Sequence, residues 1–153
     1  MSFNITIKNK EREIKFNYRL LFKANKYFGS EKEDGTKEAN GAGNLFLRLT
    51  EKDDDALVDF LKLACKEKVS EEDIIQAIEE YVTASDDVET DYAGLFDEIL
   101  EEMKHSGFFS VKLKQYLEML EKARKMMLEK ETKESTEQAK AMEEAINMMK
   151  KYL

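Results

Sequence analysis

The stretch MSFNITIKNKEREIKFNYRLLFKANKYFG, residues 1–29, changes its hydrophobic period halfway along, and that change decides the fold. Phe3, Ile5 and Ile7 alternate with Asn4, Thr6 and Lys8, and after the polar pair Asn9-Lys10 the alternation resumes at Ile14 and Phe16. Period two on both sides of a short polar turn predicts a β-hairpin with one buried face. From Asn17 the spacing becomes helical. Asn17 is a good N-cap, Leu20, Leu21, Ala24, Tyr27 and Phe28 recur on one face, and Gly29 stands where a C′ glycine belongs. A lone hairpin is marginal in water, so its apolar face needs a helix over it, and the helix that follows at once is the expected cover.

Everything downstream reads as helix and polar connection. Residues 30–40, SEKEDGTKEAN, hold no apolar residue larger than alanine and predict an exposed loop. In NGAGNLFLRLTEKDDDAL, residues 40–57, Gly41 and Gly43 are expected to turn the chain so that Leu45, Phe46, Leu47 and Leu49 form one or two helical turns. Asp53 or Asp54 then caps a helix with Leu57, Val58, Leu61, Ala64 and Cys65 inward. Ser70 opens another, with Ile74, Ile75, Ile78, Tyr81 and Val82 inward. Thr90 or Asp91 opens a third, with Tyr92, Leu95, Phe96, Ile99, Leu100 and Met103 inward and Gly107 as its stop.

From Phe108 onward Val111, Leu113, Leu117, Leu120, Ala123, Met127 and Leu128 trace a long amphipathic stripe. The polar break KETKEST precedes a last segment with Ala139, Met142, Ala145, Ile146, Met149 and Leu153. The complete lack of proline suits such a chain. The fold class is therefore mainly α with a small N-terminal β-hairpin (α+β). A compact helical body spans residues 1–107, and long C-terminal amphipathic helices over 108–153 pack on it in part and extend from it.

The 153 residues carry a net charge of −8, unevenly spread. Residues 1–50 hold ten Lys and Arg against six Asp and Glu, a balance of +4, whereas residues 51–105 hold five against nineteen, a balance of −14. An acidic surface of that strength repels nucleic acid and anionic lipid, so neither is an expected partner. It suits a basic protein partner, or head-to-tail contact with the basic end of a second copy. No hydrophobic run is long enough to span a bilayer, and no apolar signal core opens the chain. A single cysteine, Cys65, sets an intracellular, reducing expectation.

Sites of chemistry are not indicated. Gly41 and Gly43 lack the lysine and hydroxyl residue that a phosphate-binding loop requires directly after its last glycine. Asp53, Asp54 and Asp55 project about 100° apart on a helix and do not converge on an ion; they suit the positive end of a helix dipole instead. His105 is the sole histidine, which builds neither a common zinc site nor a Ser/His/Asp triad. No catalytic, cofactor or metal residue is assigned. Two classes of binding protein remain: an assembly chaperone that exposes a helical surface, and a small acidic adaptor, regulator or inhibitor. Six of the eight methionines lie between Met119 and Met149, and a methionine-rich stripe adapts to irregular partners. Residues 108–128 fit the chain's own core and a partner equally, while 135–153 are expected to contact a partner or a second copy.

The opening MSFNITIKNKEREIKFNYRLLFKANKYFG resembles the start of tail assembly chaperones from long-tailed phages of Gram-positive bacteria. So does the segment with Gly41, Gly43, Asn44, Leu45, Phe46 and Leu49, followed by Asp53 to Asp55 and ALVDFLKLA, residues 56–64. The likeness spans roughly residues 1–130 and consists of packing patterns. It implies a homo-oligomeric chaperone of the host cytoplasm that binds the tape measure protein and keeps it soluble. It also implies recruitment of major tail protein, departure before the virion matures, and no cofactor. Leu117, Leu120, Met127, Met142, Ile146 and Met149 are the expected contacts with the client or a neighbouring subunit.

Overall fold

The computed structural model describes residues 2–153; Met1, which opens the predicted hairpin segment, lies outside them. Strands β1 (Ser2–Ile7) and β2 (Lys10–Lys15) pair antiparallel, with Phe3 opposite Ile14 and Ile5 opposite Arg12. The turn is Lys8-Asn9, one residue earlier than the polar pair suggested. Both turn residues have positive φ, 54° and 62°. That is the hand a two-residue hairpin loop needs to match strand twist, and asparagine tolerates it well.

Seven helices follow: α1 (Tyr18–Phe28), α2 (Gly41–Thr50), α3 (Asp54–Ala64), α4 (Glu71–Val82), α5 (Val88–His105), α6 (Gly107–Glu129) and α7 (Lys133–Tyr152). The sequence expectation of a mainly helical chain with one small hairpin holds. Helix starts are fixed by side chains. Asn17 Oδ1 accepts from the Leu20 amide at 3.0 Å, and Ser70 and Asp73 form a reciprocal capping box. Some starts differ from expectation: α5 begins after Asp87, whose carboxylate takes both the amide and the hydroxyl of Thr90. Gly107 is not a stop but the first residue of α6; Ser106 ends α5, and its buried hydroxyl donates to the Phe16 carbonyl at 2.9 Å.

The hairpin's apolar face is covered mainly by α4 and α5, not by the helix that follows it in sequence. Phe3 packs toward Tyr81 of α4, with ring centroids 6.4 Å apart. Helix α1 instead turns Leu20, Leu21, Ala24 and Phe28 toward α2 and α3. Its period predicted this inner face apart from Tyr27, which is 53% exposed, but not which neighbour would receive it. Phe16, at the end of β2, stacks on Phe60 of α3 at 5.8 Å and meets Phe109 of α6 edge-on at 5.6 Å. That aromatic trio ties the hairpin to both ends of the helical body.

Helix α2 starts at Gly41 itself, earlier than Leu45 suggested, and neither Gly41 nor Gly43 has a positive φ. The glycines do not turn a loop; they let helices touch. A Cβ on Gly41 would collide with the Ala24 carbonyl of α1, and one on Gly43 with the Tyr116 ring of α6. Polar clamps hold the crossing: the Gly41 amide donates to Asn25 Oδ1 at 3.1 Å, Asn44 Nδ2 to the Phe28 carbonyl at 2.8 Å, and Tyr116 OH to Asn44 Oδ1 at 2.8 Å.

The connection between α6 and α7 is three residues, short enough to fold α7 straight back along α6. Ser135, Ala139, Ile146 and Met149 form the buried edge of α7, which also packs on α2. Met149 belongs to the same core cluster as Phe109, Leu113 and Tyr116.

Candidate interaction surface

Helix α6 carries two apolar faces. At 100° per residue, Phe109, Leu113, Tyr116, Leu120 and Met127 point toward the body and α7. Of these, Phe109, Leu113 and Tyr116 are buried, and Leu120 and Met127 are half-buried. On nearly the opposite side, Phe108, Val111, Gln115, Met119, Lys122 and Met126 fall within an arc of about 80° and run for about 27 Å. All six are exposed, Val111 and Met126 at 53% and 54%. A row of exposed apolar side chains on one helix face, here Phe108, Val111, Met119 and Met126 interrupted by Gln115 and Lys122, marks an interaction surface more specifically than scattered exposed residues do. Lys112, Lys114 and Lys125 border it, with Glu118 and Glu129.

The six residues expected to bind a client occupy the other face. Ile146 and Met149 are shut in against the chain's own helices, at 4% and 0% exposure. Leu117, Leu120, Met127 and Met142 are half-buried along the α6–α7 hairpin. The structure thus brings these residues into one hairpin, with Ile146 and Met149 on its inside. The exposed stripe could have been found from the second series, Phe108, Val111, Met119 and Met126, which repeats at helical spacing within the same segment. A stronger inward series running beside it hid that signal.

The features weighed for chemistry take ordinary places. Asp53 Oδ2 binds Arg48 Nε at 2.9 Å, while its Oδ1 caps the Ala56 amide. The Arg48 hydrogen bond, with that amide assisting against the cost of partial burial, holds the Asp53 carboxyl below its usual range. Asp54 accepts from Tyr92 OH at 2.7 Å, and Asp55 stays exposed, so the three carboxylates point to separate partners. Burial, then the Asp54 bond, pushes the Tyr92 phenol up to about 12. His105 pairs with Glu101 at 2.9 Å on the surface of α5. Cys65 caps α3 half-buried, and burial raises its thiol. Among the described residues, no three His, Cys, Asp or Glu are grouped to hold a metal, and no helix is long and apolar enough to cross a membrane.

Asp53 gives a testable expectation. Asp53→Ala should cost about 1 kcal/mol at neutral pH, the worth of an N-cap. Because the folded carboxyl titrates below its unfolded counterpart, this contribution is present above about pH 4 and is lost as pH falls through the folded value. Denaturant melts of parent and variant should therefore converge at acid pH; an undiminished difference there would rule out the carboxylate as its source.

What fold and surface together define is a helical scaffold: a body closed by glycine-mediated helix crossings, with one long helix that carries a row of exposed apolar side chains. The chain belongs to the family described as phage tail assembly chaperone protein, TAC, which matches residues 4–118, about three quarters of its length. No curated protein and no solved structure matches the chain. Membership of a chaperone family points to action by binding rather than by catalysis. The matched residues take in the hairpin, α1 to α5 and the first half of α6; the rest of α6 and α7 lie beyond them.

Proposed function

We propose that this protein is the chaperone of a tape measure protein in a long-tailed (siphovirus-type) phage of Gram-positive bacteria. It acts in the host cytoplasm as a homo-oligomer, keeps its client soluble, helps recruit major tail protein around it, and is absent from the mature virion. The observation that carries this reading is the exposed stripe of Val111, Met119 and Met126 on a chain belonging to the tail assembly chaperone family. A tape measure protein is long and largely helical, so its apolar helix faces need cover until the tail is built around them. A stripe with two flexible methionines accommodates many such faces at modest cost in specificity.

Leu117, Leu120, Met127 and Met142 would flank the bound helix from the hairpin. Ile146 and Met149 would act from inside, holding α7 against α6. The acidic middle of the chain keeps the loaded complex soluble.

The test is co-expression with the tape measure protein of the same phage. The wild type should return the client to the soluble fraction and co-purify with it. Val111→Ser, Met119→Ser and Met126→Ser combined should weaken capture at least about tenfold, the equivalent of 1.4 kcal/mol. These side chains are exposed, so thermal unfolding should barely move. Undiminished capture by the folded triple variant would remove the stripe from the reading.

A further inference from the structure

A second apolar patch, sharing only Phe108 with the α6 stripe, lies where α1 meets the start of α6. Tyr18 packs edge-on to Phe22 at 4.9 Å and to Phe108 at 5.1 Å, and all three residues are 51–52% exposed. The Tyr18 and Phe108 rings border an open recess of about 620 Å³, whose other lining residues are Asn17, Arg19, Lys23 and Lys66. Among the described residues none of those three cations has a carboxylate within ion-pair distance. Uncompensated cations around exposed rings form a socket for an apolar group that carries negative charge at its edges.

The chain itself presents such a group. On the outer face of α4, Ile75 is 43% exposed, with half-buried Ile78 and Val82 beside it at helical spacing. Glu71, Glu72 and Glu79 rim that ridge, all exposed and none paired with a cation among the described residues. Helix α4 packs on β1, α3 and α5, whereas the socket is built from α1 and α6. Both faces look to solvent, so bringing them together takes two copies.

We propose that the chain self-associates head to tail, the acidic α4 ridge of one copy seating on Tyr18, Phe22 and Phe108 of the next, between Arg19, Lys23 and Lys66. Such a contact is heterologous: every added copy leaves one socket and one ridge free, so it propagates into a ring or an open row. It also leaves most of the α6 stripe free, so a row of copies would display a row of client-binding helices. This deepens the self-association stated above and rests on it. Its test contains no client, so client binding stands or falls separately.

The test is sedimentation of the full chain at rising concentration. Wild type should grow in size with concentration, and its association should weaken at least about tenfold between roughly 0.05 and 0.5 M salt, because rim charges are screened. Tyr18→Ser with Phe22→Ser spoils only the socket, and Ile75→Arg spoils only the ridge; each variant alone should be monomeric. Mixed in equal amounts, they should form dimers that grow no further, since one intact ridge meets one intact socket. That dimer also shows that both variants are folded. A wild type that stays monomeric, a variant that still assembles, or a mixture that stays monomeric would each overturn the proposal.

Discussion

Gly41→Ala should lower the melting temperature by about 10 °C, although glycine to alanine inside a helix ordinarily gains stability. The usual gain is roughly 0.5–1 kcal/mol, from the glycine's lost backbone freedom. Here the new methyl would be driven into the Ala24 carbonyl and the Asn25 backbone of α1. No rotamer change can move a backbone carbonyl aside, so the two helices must separate. Separation would stretch the 3.1 Å bond from the Gly41 amide to Asn25 and the 2.8 Å bond from Asn44 to Phe28. Overpacking of this kind costs about 3 kcal/mol, the upper part of its usual range, and each kilocalorie is worth about 2–4 °C in a domain of this size. Gly94→Ala is the internal control. It sits within α5 with open space where its Cβ would go, and should leave stability unchanged or slightly raised. Differential scanning calorimetry of the two variants checks the pair; similar melting temperatures would remove the close-packed crossing as the reason for the glycine.

Phe60→Ala should cost about 3–5 kcal/mol, the range for deleting a fully buried aromatic side chain. Phe60 is 0% exposed and stacks on Phe16, which in turn meets Phe109. The deletion leaves a cavity bounded by the hairpin, α3 and α6, three elements whose backbones are held elsewhere and cannot all collapse inward. Neighbouring hydrogen bonds confine them further, notably the Ser106 hydroxyl on the Phe16 carbonyl. Urea unfolding should show a lower midpoint with an unchanged slope. A loss under about 1 kcal/mol would mean that the hairpin is not tied to the body through this trio.

These two sites mark what the sequence could and could not convey. Periodicity identified the hairpin and most of the inward faces of α1, α3, α4 and α5, because a half-buried element must repeat its apolar residues at its own period; Tyr27 and Ile75, read as inward, lie at the edges of those faces and are exposed, and fully buried Phe60 was not picked out. Which partner each face meets depends on contacts distant in sequence, so the covering of β1 by α4 and α5 was not legible. The glycines misled for a related reason. Read locally, Gly41 and Gly43 suggest a turn, since close helix approach shows only once Ala24 and Tyr116 are seen beside them. The exposed apolar row of α6 lies within the region read as a methionine-bearing helix, residues 108–153, but on a different side from the residues picked there. Both apolar series of α6 obey helical spacing, and only the return of α7 decides which is covered. Ile146 and Met149 went inward for that reason, while Met119 and Met126 stayed out.

The role proposed for the α6 stripe is to keep a tape measure protein soluble. Its most direct measurement is light scattering when denatured tape measure protein is diluted into buffer with increasing amounts of the purified chain. Scattering should fall as the chain approaches stoichiometric amounts, and the Val111→Ser, Met119→Ser, Met126→Ser variant should leave it high. Scattering that the wild type does not lower, or that both proteins lower equally, would contradict the account.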